Sequence, residues 1–300
     1  MKINKTISII GGYGALGKWY ATFFKREGWK VIIYGRNAEK LENAAIELGV
    51  SAEPNIEQAV KKSEVIFISV TIPETIPTIQ QIATYIQSDK ILIEIASIKG
   101  EIINTFKNIT QRSAYHIDWL SIHPMFGPGA VSMKGMKILF IQSDQNPGIH
   151  DYFWELFSKH DALCRDTSLE EHDQMMARVL GGPHFFNIAF MKFLEMPPSD
   201  EFNIQRLLPF AGTTFTLQKT LCEAVLHETR SIYAPIQMEN PAFLQRLKEF
   251  RQFLDEYIQI IEKKDTTRFN QLFETLRSYA KSDPKFEGAY ETLYKLIQHI

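Results

Sequence analysis

Cysteine is nearly absent: Cys164 and Cys222 are the only two among 300 residues. Two isolated thiols give neither a disulfide framework nor a zinc spacing, which fits a reducing cytoplasm. An excess of either charge is also missing, since 33 Lys and Arg stand against 35 Asp and Glu, a formal net charge of −2. That balance supplies no drive toward nucleic acid or an anionic membrane. Arg246, Lys248 and Arg251 alternate with Glu249 and Asp255, as on a solvated helix face rather than a phosphate-binding stripe. No apolar run is long enough to span a bilayer. The start, Met1-Lys2-Ile3-Asn4-Lys5, places basic residues before an apolar run as a signal peptide does. The run is short and ends at Gly11-Gly12 without a cleavage pattern, so it reads as a first β-strand. No His or Cys spacing matches a metal site.

What is present is an ordinary globular composition, 45% apolar and 23% charged, in a chain long enough for two domains. The first half alternates β-rich runs with helical patterns. Ile7–Ile10, Lys30–Tyr34, Val65–Val70, Ile91–Ile95, Trp119–Ile122 and Lys137–Ile141 are expected strands. Leu16–Glu27 and Ala38–Leu48 are expected helices. This order implies a mostly parallel sheet covered by helices over residues 1–166. Strand signals fade after the last candidate, Ala162–Cys164, and residues 167–300 read as an all-α domain. There Glu170–Glu195 forms one long helical pattern, expected to break near Gly181-Gly182-Pro183. From Pro241 to Glu262, Phe243, Leu247, Phe250, Leu254, Tyr257 and Ile261 recur on one face. The stripe serves either as internal core or as a dimer interface.

Ile9-Ile10-Gly11-Gly12-Tyr13-Gly14-Ala15-Leu16-Gly17 sets Gly12, Gly14 and Gly17 in G-x-G-x-x-G spacing after a strand and at the opening of a helix. The first two glycines allow a tight turn and close approach to a pyrophosphate; the third lets helix and strand pack. The phosphates then sit at the helix N-terminus. This identifies a Rossmann domain, with Gly12, Tyr13, Gly14, Ala15, Leu16 and Gly17 expected to contact a dinucleotide. The second strand ends Ile33-Tyr34-Gly35-Arg36-Asn37. Gly35 stands where an acid would hold the ribose 2′-hydroxyl of NAD, and Arg36 follows it. A guanidinium without the carboxylate favours a 2′-phosphate, so NADP is the preferred cofactor. Should Arg36 only stack on adenine, NAD is possible.

Further candidates follow at the ends of the strands. Ser69-Val70-Thr71 and Ala96-Ser97-Ile98-Lys99 close two strands at the edge where a nicotinamide would lie. Ser69, Val70, Thr71 and Ser97 are expected cofactor contacts, and Ser97 and Lys99 are placed to meet substrate. Ser97 can equally cap the helix beginning near Lys99. The most informative stretch is Ser121-Ile122-His123-Pro124-Met125-Phe126-Gly127-Pro128-Gly129. It presents His123 at the end of an apolar run, before a loop that neither strand nor helix continues. Imidazole is the side chain suited to moving a proton near neutral pH. His116, His150, His160 and His299 lie in surface-like contexts. His172, within Glu171-His172-Asp173-Gln174, and His184, within Gly182-Pro183-His184-Phe185, open the helical half. His184 is the better candidate for substrate contact, or else a satisfied core histidine.

Together these segments resemble the prephenate dehydrogenase family. The match takes in Gly11–Gly17, Glu94–Lys99, Ser121–Pro128, Glu171–Met176 and Pro183–Phe185, and the segments around His123 and His172 are the specific ones. The sequence is most similar to the dehydrogenase part of enzymes fused in some bacteria to chorismate mutase. No mutase segment precedes the Rossmann domain here, so the dehydrogenase reaction alone is implied. By the resemblance, His123 is the general base on the ring hydroxyl of a cyclohexadiene carboxylate. Ser97 assists at the hydroxyl or the nicotinamide, His184 lines the substrate pocket, and the helical half forms a homodimer. The reaction implied is oxidative decarboxylation of prephenate to 4-hydroxyphenylpyruvate in tyrosine biosynthesis, in the cytoplasm.

One departure stands out. The family supplies a carboxylate-binding arginine from the helix after the segment matching Thr213–Leu217, and Ala224 stands there. Lys219, Lys99, Arg178, Arg206 and Arg230 are candidates to replace it. Arogenate or an amino-substituted prephenate is the alternative substrate, and a non-catalytic NAD(P)-binding sensor is the alternative in another class. A β-hydroxyacid dehydrogenase also pairs such domains, but relies on a lysine in the first interdomain helix, where this sequence offers His184.

Overall fold

A computed structural model describes residues 3–142, 147–196, 203–227 and 230–298, the side chains of 230–232 excepted. His299 and the side chain of Arg230 lie outside them. The chain divides into two compact units, Met1–Met175 with Ala234–Glu239, and Met176–Tyr233 with Asn240–Ile300. The first unit thus takes in the start of the helical half expected from the sequence.

In the first unit, β1 (Thr6–Ile10), α1 (Ala15–Arg26), β2 (Lys30–Tyr34), α2 (Ala38–Leu48) and β3 (Ser51–Ala52) are followed by α3 (Ile56–Lys62) and β4 (Val65–Ile68). Then come α4 (Ile72–Ala83), β5 (Lys90–Glu94), α5 (Gly100–Arg112), β6 (Ile117–Pro124), β7 (Lys137–Ile141), α6 (Pro147–Ser158), β8 (Leu163–Thr167) and α7 (Leu169–Met176). The eight strands form one sheet in the order β3-β2-β1-β4-β5-β6-β7-β8. Every pairing is parallel except β6 with β7. Strands β4, β5 and β6 are buried throughout, as a sheet covered on both faces requires. Tyr20 and Phe24 of α1 pack on Phe67 on one face, and Phe106 of α5 stacks on Trp119 at 5.1 Å on the other. The two-residue β3 had no periodicity to betray it. It exists by pairing with β2 at Ile32 and Ile33.

Register aligns the functional ends. Ile10 pairs with Ile68, Ile68 with Glu94, and Glu94 with Ser121. The turn after β1, the segments after β4 and β5, and His123 therefore all lie just past one row of residues. Where sequence places His123 at the lip of a loop, it is still in β6, opposite Leu139 of β7. Beyond it the chain is tied back to α1, because the Trp19 indole N–H donates to the Ala130 carbonyl at 2.7 Å.

Between the ends of β5 and β6 lies a charged pair out of contact with solvent. Lys99 Nζ sits 2.6 Å from Glu94 Oε1, and neither side chain has exposed surface. The ammonium also donates to the Ile122 carbonyl at 2.7 Å. Glu94 Oε2 accepts the Ala96 N–H at 2.7 Å, and the Ser121 hydroxyl donates to Oε1. The pair is thus hydrogen-bonded on both partners, the condition under which a buried ion pair persists.

The second unit is helical. The expected break near Gly181 is instead a π-helical stretch, Ala177–Gly181, running directly into α8 (Gly182–Glu195). Pro183 is tolerated because it falls in the first turn of α8. After α9 (Ile204–Leu207) come α10 (Thr213–His227), α11 (Arg230–Met238), whose residues from Ala234 onward count with the first unit, α12 (Pro241–Glu262), α13 (Thr266–Ala280) and α14 (Ala289–Ile297). The α12 stripe divides its work. Phe243 is buried beside Gly181 and Phe250 meets the Phe186 ring at 4.9 Å, whereas Leu254 and Ile261 are exposed. Phe269, Phe273 and Leu276 of α13 are exposed as well. No described helix is long and apolar enough to cross a membrane.

Replacing Lys99 by Met leaves Glu94 as an unpaired buried charge and is expected to lower unfolding stability by roughly 3–5 kcal/mol in urea titration. The double variant Lys99→Met with Glu94→Gln is expected to regain much of that loss. A Lys99→Met loss below about 1 kcal/mol would contradict the buried charge pair described here.

Candidate active site

The turn after β1 has no room for side chains. Gly11 has φ +86°, and a Cβ there would lie 2.2 Å from the Ser69 carbonyl oxygen. A Cβ on Gly17 would lie 2.3 Å from the Gly11 oxygen. This lets α1 begin hard against β1 with its first turn free of acidic residues and with no side-chain cap. Uncapped N–H groups at a helix start, next to bare backbone, fit a pyrophosphate. Of the cofactor contacts expected from sequence, Tyr13, Gly14, Arg36, Ser69, Val70 and Thr71 line one cavity of about 250 Å³. Gly12 and Gly17 act through packing, Gly12 against Ile33. Ala15 and Leu16 form the first turn of α1.

Ser97 is half-buried in the segment after β5. The capping alternative for it does not hold, since Lys99 occupies the N-cap position of α5. The expected contact of Lys99 with a ligand is corrected by its burial: the ammonium is enclosed, shared between Glu94 and the Ile122 carbonyl. Burial depresses its pKa, against the opposing pull of Glu94.

His123 is 4% exposed and meets a partner that sequence ranked second among the helical-half histidines. Its Nδ1 lies 3.0 Å from Nε2 of His172, whose Nδ1 lies 2.9 Å from Asp173 Oδ1. An ionised carboxylate only accepts, so His172 carries its hydrogen on Nδ1 and offers Nε2 as an acceptor. His123 then donates from Nδ1, which leaves a lone pair on its Nε2. Burial above all, then the charge of Lys99, holds the His123 pKa well below the ordinary histidine value. The arrangement yields a neutral, oriented imidazole with its basic nitrogen free, the equipment of a general base. The His172-Asp173 dipeptide was a visible signal of an oriented imidazole. Its meeting with His123, 49 positions earlier, was not.

In the second unit, His184 packs its ring on Tyr233 at 4.5 Å, and its Nδ1 is buried with no partner among the described residues. Burial lowers its pKa. Ala224 lies on α10 and is exposed. Of the cations considered as substitutes for an arginine there, Lys219 pairs with Glu223 at 2.6 Å, and Arg178 and Arg206 are exposed. A polar contact does occur on this helix: the Gln218 amide donates to Asn187 Oδ1 of α8 at 2.8 Å.

The chain matches the family model for the nucleotide-binding domain of prephenate dehydrogenase over residues 20–140, and that for its dimerization domain over residues 168–277. It is 30% identical over 289 residues to a probable arogenate/prephenate dehydrogenase of Methanocaldococcus jannaschii, covering 96% of this chain and 63% of that protein. It is 24% identical to the T-protein of Haemophilus influenzae, over 91% of this chain and 66% of that one. The chain thus spans just under two thirds of the length of these two relatives. The fold is shared with prephenate dehydrogenase of A. aeolicus in complex with hydroxyphenyl propionate and NAD+, at TM-score 0.76 and 16% identity, over 93% of this chain and 98% of that one. It is shared also with Synechocystis arogenate dehydrogenase, at TM-score 0.70 and 16% identity, over 92% and 99%.

The tautomer order makes a prediction free of any turnover assay. In 15N-edited NMR at pH 7, His123 is expected to carry its hydrogen on Nδ1 with Nε2 bare, and Asp173→Ala is expected to release that preference. A wild-type His123 protonated on Nε2 alone would contradict the assignment.

Proposed function

Because the chain belongs to the prephenate dehydrogenase family, we propose that it oxidatively decarboxylates prephenate to 4-hydroxyphenylpyruvate in tyrosine biosynthesis, with NADP preferred over NAD. The observation that carries this reading is the Asp173–His172–His123 chain, at the same sheet edge as a glycine turn fitted to a dinucleotide. A bound nicotinamide supplies one thing, acceptance of a hydride.

The protein's own residues do the rest. His123 Nε2 takes the proton of the ring hydroxyl as the carbinol carbon gives up hydride and a carbonyl forms. The ring carboxylate then leaves as CO2, its bonding electrons complete the aromatic ring and turn the carbonyl into a phenolate, and the proton held on His123 returns to that oxygen. The positive charge arising on His123 is shared through His172 toward Asp173, so no unpaired charge is stranded in a buried site. His172 and Asp173 are positioning residues. Ser97 is assigned to the hydroxyl or nicotinamide and His184 to the substrate pocket, as the family resemblance implies. Lys99 acts by holding the ends of β5 and β6 together.

Arg36 supports NADP, as a guanidinium beside a strand end without an acid suits a 2′-phosphate. Ala224 favours a second reading of the substrate. Without an arginine at that point of α10, arogenate or an amino-substituted prephenate is the alternative to prephenate. The exposed apolar side chains of α12 and α13, within the match to the dimerization domain, support a homodimer through the helical half. Both cysteines are free, consistent with a cytoplasmic enzyme.

Incubation with prephenate or arogenate and either cofactor, followed by nicotinamide absorbance, tests the proposal. Reduction is expected with NADP+, and His123→Asn is expected to bind NADP+ normally yet lose roughly 10²–10⁴-fold in turnover. Absence of signal with both substrates and both cofactors would refute the enzymatic reading and leave the sensor.

A further inference from the structure

We propose that Glu74, in the first turn of α4, tunes discrimination at the ribose 2′ position, tempering the phosphate preference of Arg36 and supplying the carboxylate that the end of β2 lacks. The inference rests on the NADP reading above.

It begins at Gly35. A Cβ there would lie 2.1 Å from Tyr13 Cε1 and 2.3 Å from Cδ1. An acid at position 35 is therefore incompatible with the Tyr13 ring where it stands, and the ring fills the place from which β2 would present a carboxylate. The cavity beside this ring includes Tyr13, Gly35, Arg36, Thr71, Glu74 and Gln81 in its wall. Arg36 and Glu74 are its only charged residues among those described, and their charges cancel.

The two are paired, with Arg36 Nη1 3.1 Å from Glu74 Oε2 and side chains 74% and 43% exposed. A pair this wet is weak, so Arg36 can change partners at little cost. A 2′-phosphate, near −2 in charge, could bind Arg36 only within range of the Glu74 carboxylate, which repels it. A 2′-hydroxyl would instead find in Glu74 an acceptor. Arg36 thus reads the phosphate and Glu74 the hydroxyl, and the preference for NADP is moderated rather than absolute. Glu74 is well placed for this because a carboxylate in the first turn of a helix is held by the helix dipole.

Calorimetric titration of the full chain with NADP+ and with NAD+ tests the idea without turnover. Glu74→Gln is expected to increase the ratio of the NAD+ to the NADP+ dissociation constant about tenfold, the order expected on removing one nearby like charge in wet surroundings. Arg36→Ala is expected to reduce the same ratio by about tenfold or more. If Glu74→Gln leaves the ratio within about twofold, or lowers it, while Arg36→Ala collapses it, the role of Glu74 is overturned and the NADP reading stands. If Arg36→Ala leaves the ratio unchanged, the NADP reading fails and the proposal falls with it. Both side chains are exposed, so unchanged thermal midpoints are expected and confirm that each variant is folded.

Discussion

The buried ammonium of Lys99 is the contact on which the site depends. It joins the end of β5, through Glu94, to the end of β6, through the Ile122 carbonyl, one residue before His123. Its charge also disfavours a second positive charge on His123. One desolvated cation therefore does structural and electrostatic work together: it fixes where the histidine stands and adds to the burial that keeps it neutral. A charge this deep survives only because Glu94 and a carbonyl surround it, and Glu94 in turn is held by the Ser121 hydroxyl and the Ala96 N–H.

From that base the site extends in two directions. Along α7, His172 and Asp173 fix the hydrogen of His123 on Nδ1, so that the basic nitrogen is the free one. Across the sheet, parallel register carries the same edge through β5 and β4 to the glycine turn after β1. Neither half requires the chain to move: each side chain is placed by a strand end or the first turns of a helix, the rigid parts of the fold.

Much of this was legible in the sequence. The strands from Lys30 to Tyr34 and from Lys137 to Ile141 have their expected bounds, because a short apolar run opened by a lysine marks a largely buried strand in adjacent residues. The glycine turn and His123 were visible for the same reason, local chemistry stated in adjacent residues. What escaped was set by distant partners. Lys99 looked like a free cation at a strand end until the fold wrapped Glu94 around it. His172 looked weaker than His184 until register brought His123 to it. Gly181 and Pro183 suggested a break, yet a π-turn absorbed them, since Pro183 falls where a helix needs no N–H donor. Gly35 was read as a missing acid, and the packing adds that the Tyr13 ring occupies the space.

The central claim is that His123 works as a neutral base, and the pH dependence of kcat/KM for prephenate with NADP+ tests it most directly. A base must be unprotonated to act, and the folded protein holds the His123 pKa below its ordinary value of about 6.5. Activity should therefore persist on acidification through pH 6.5 and fall only below it, with that acid limb absent from the residual rate of His123→Asn. An acid limb at or above pH 6.5 that titrates His123 would contradict the account.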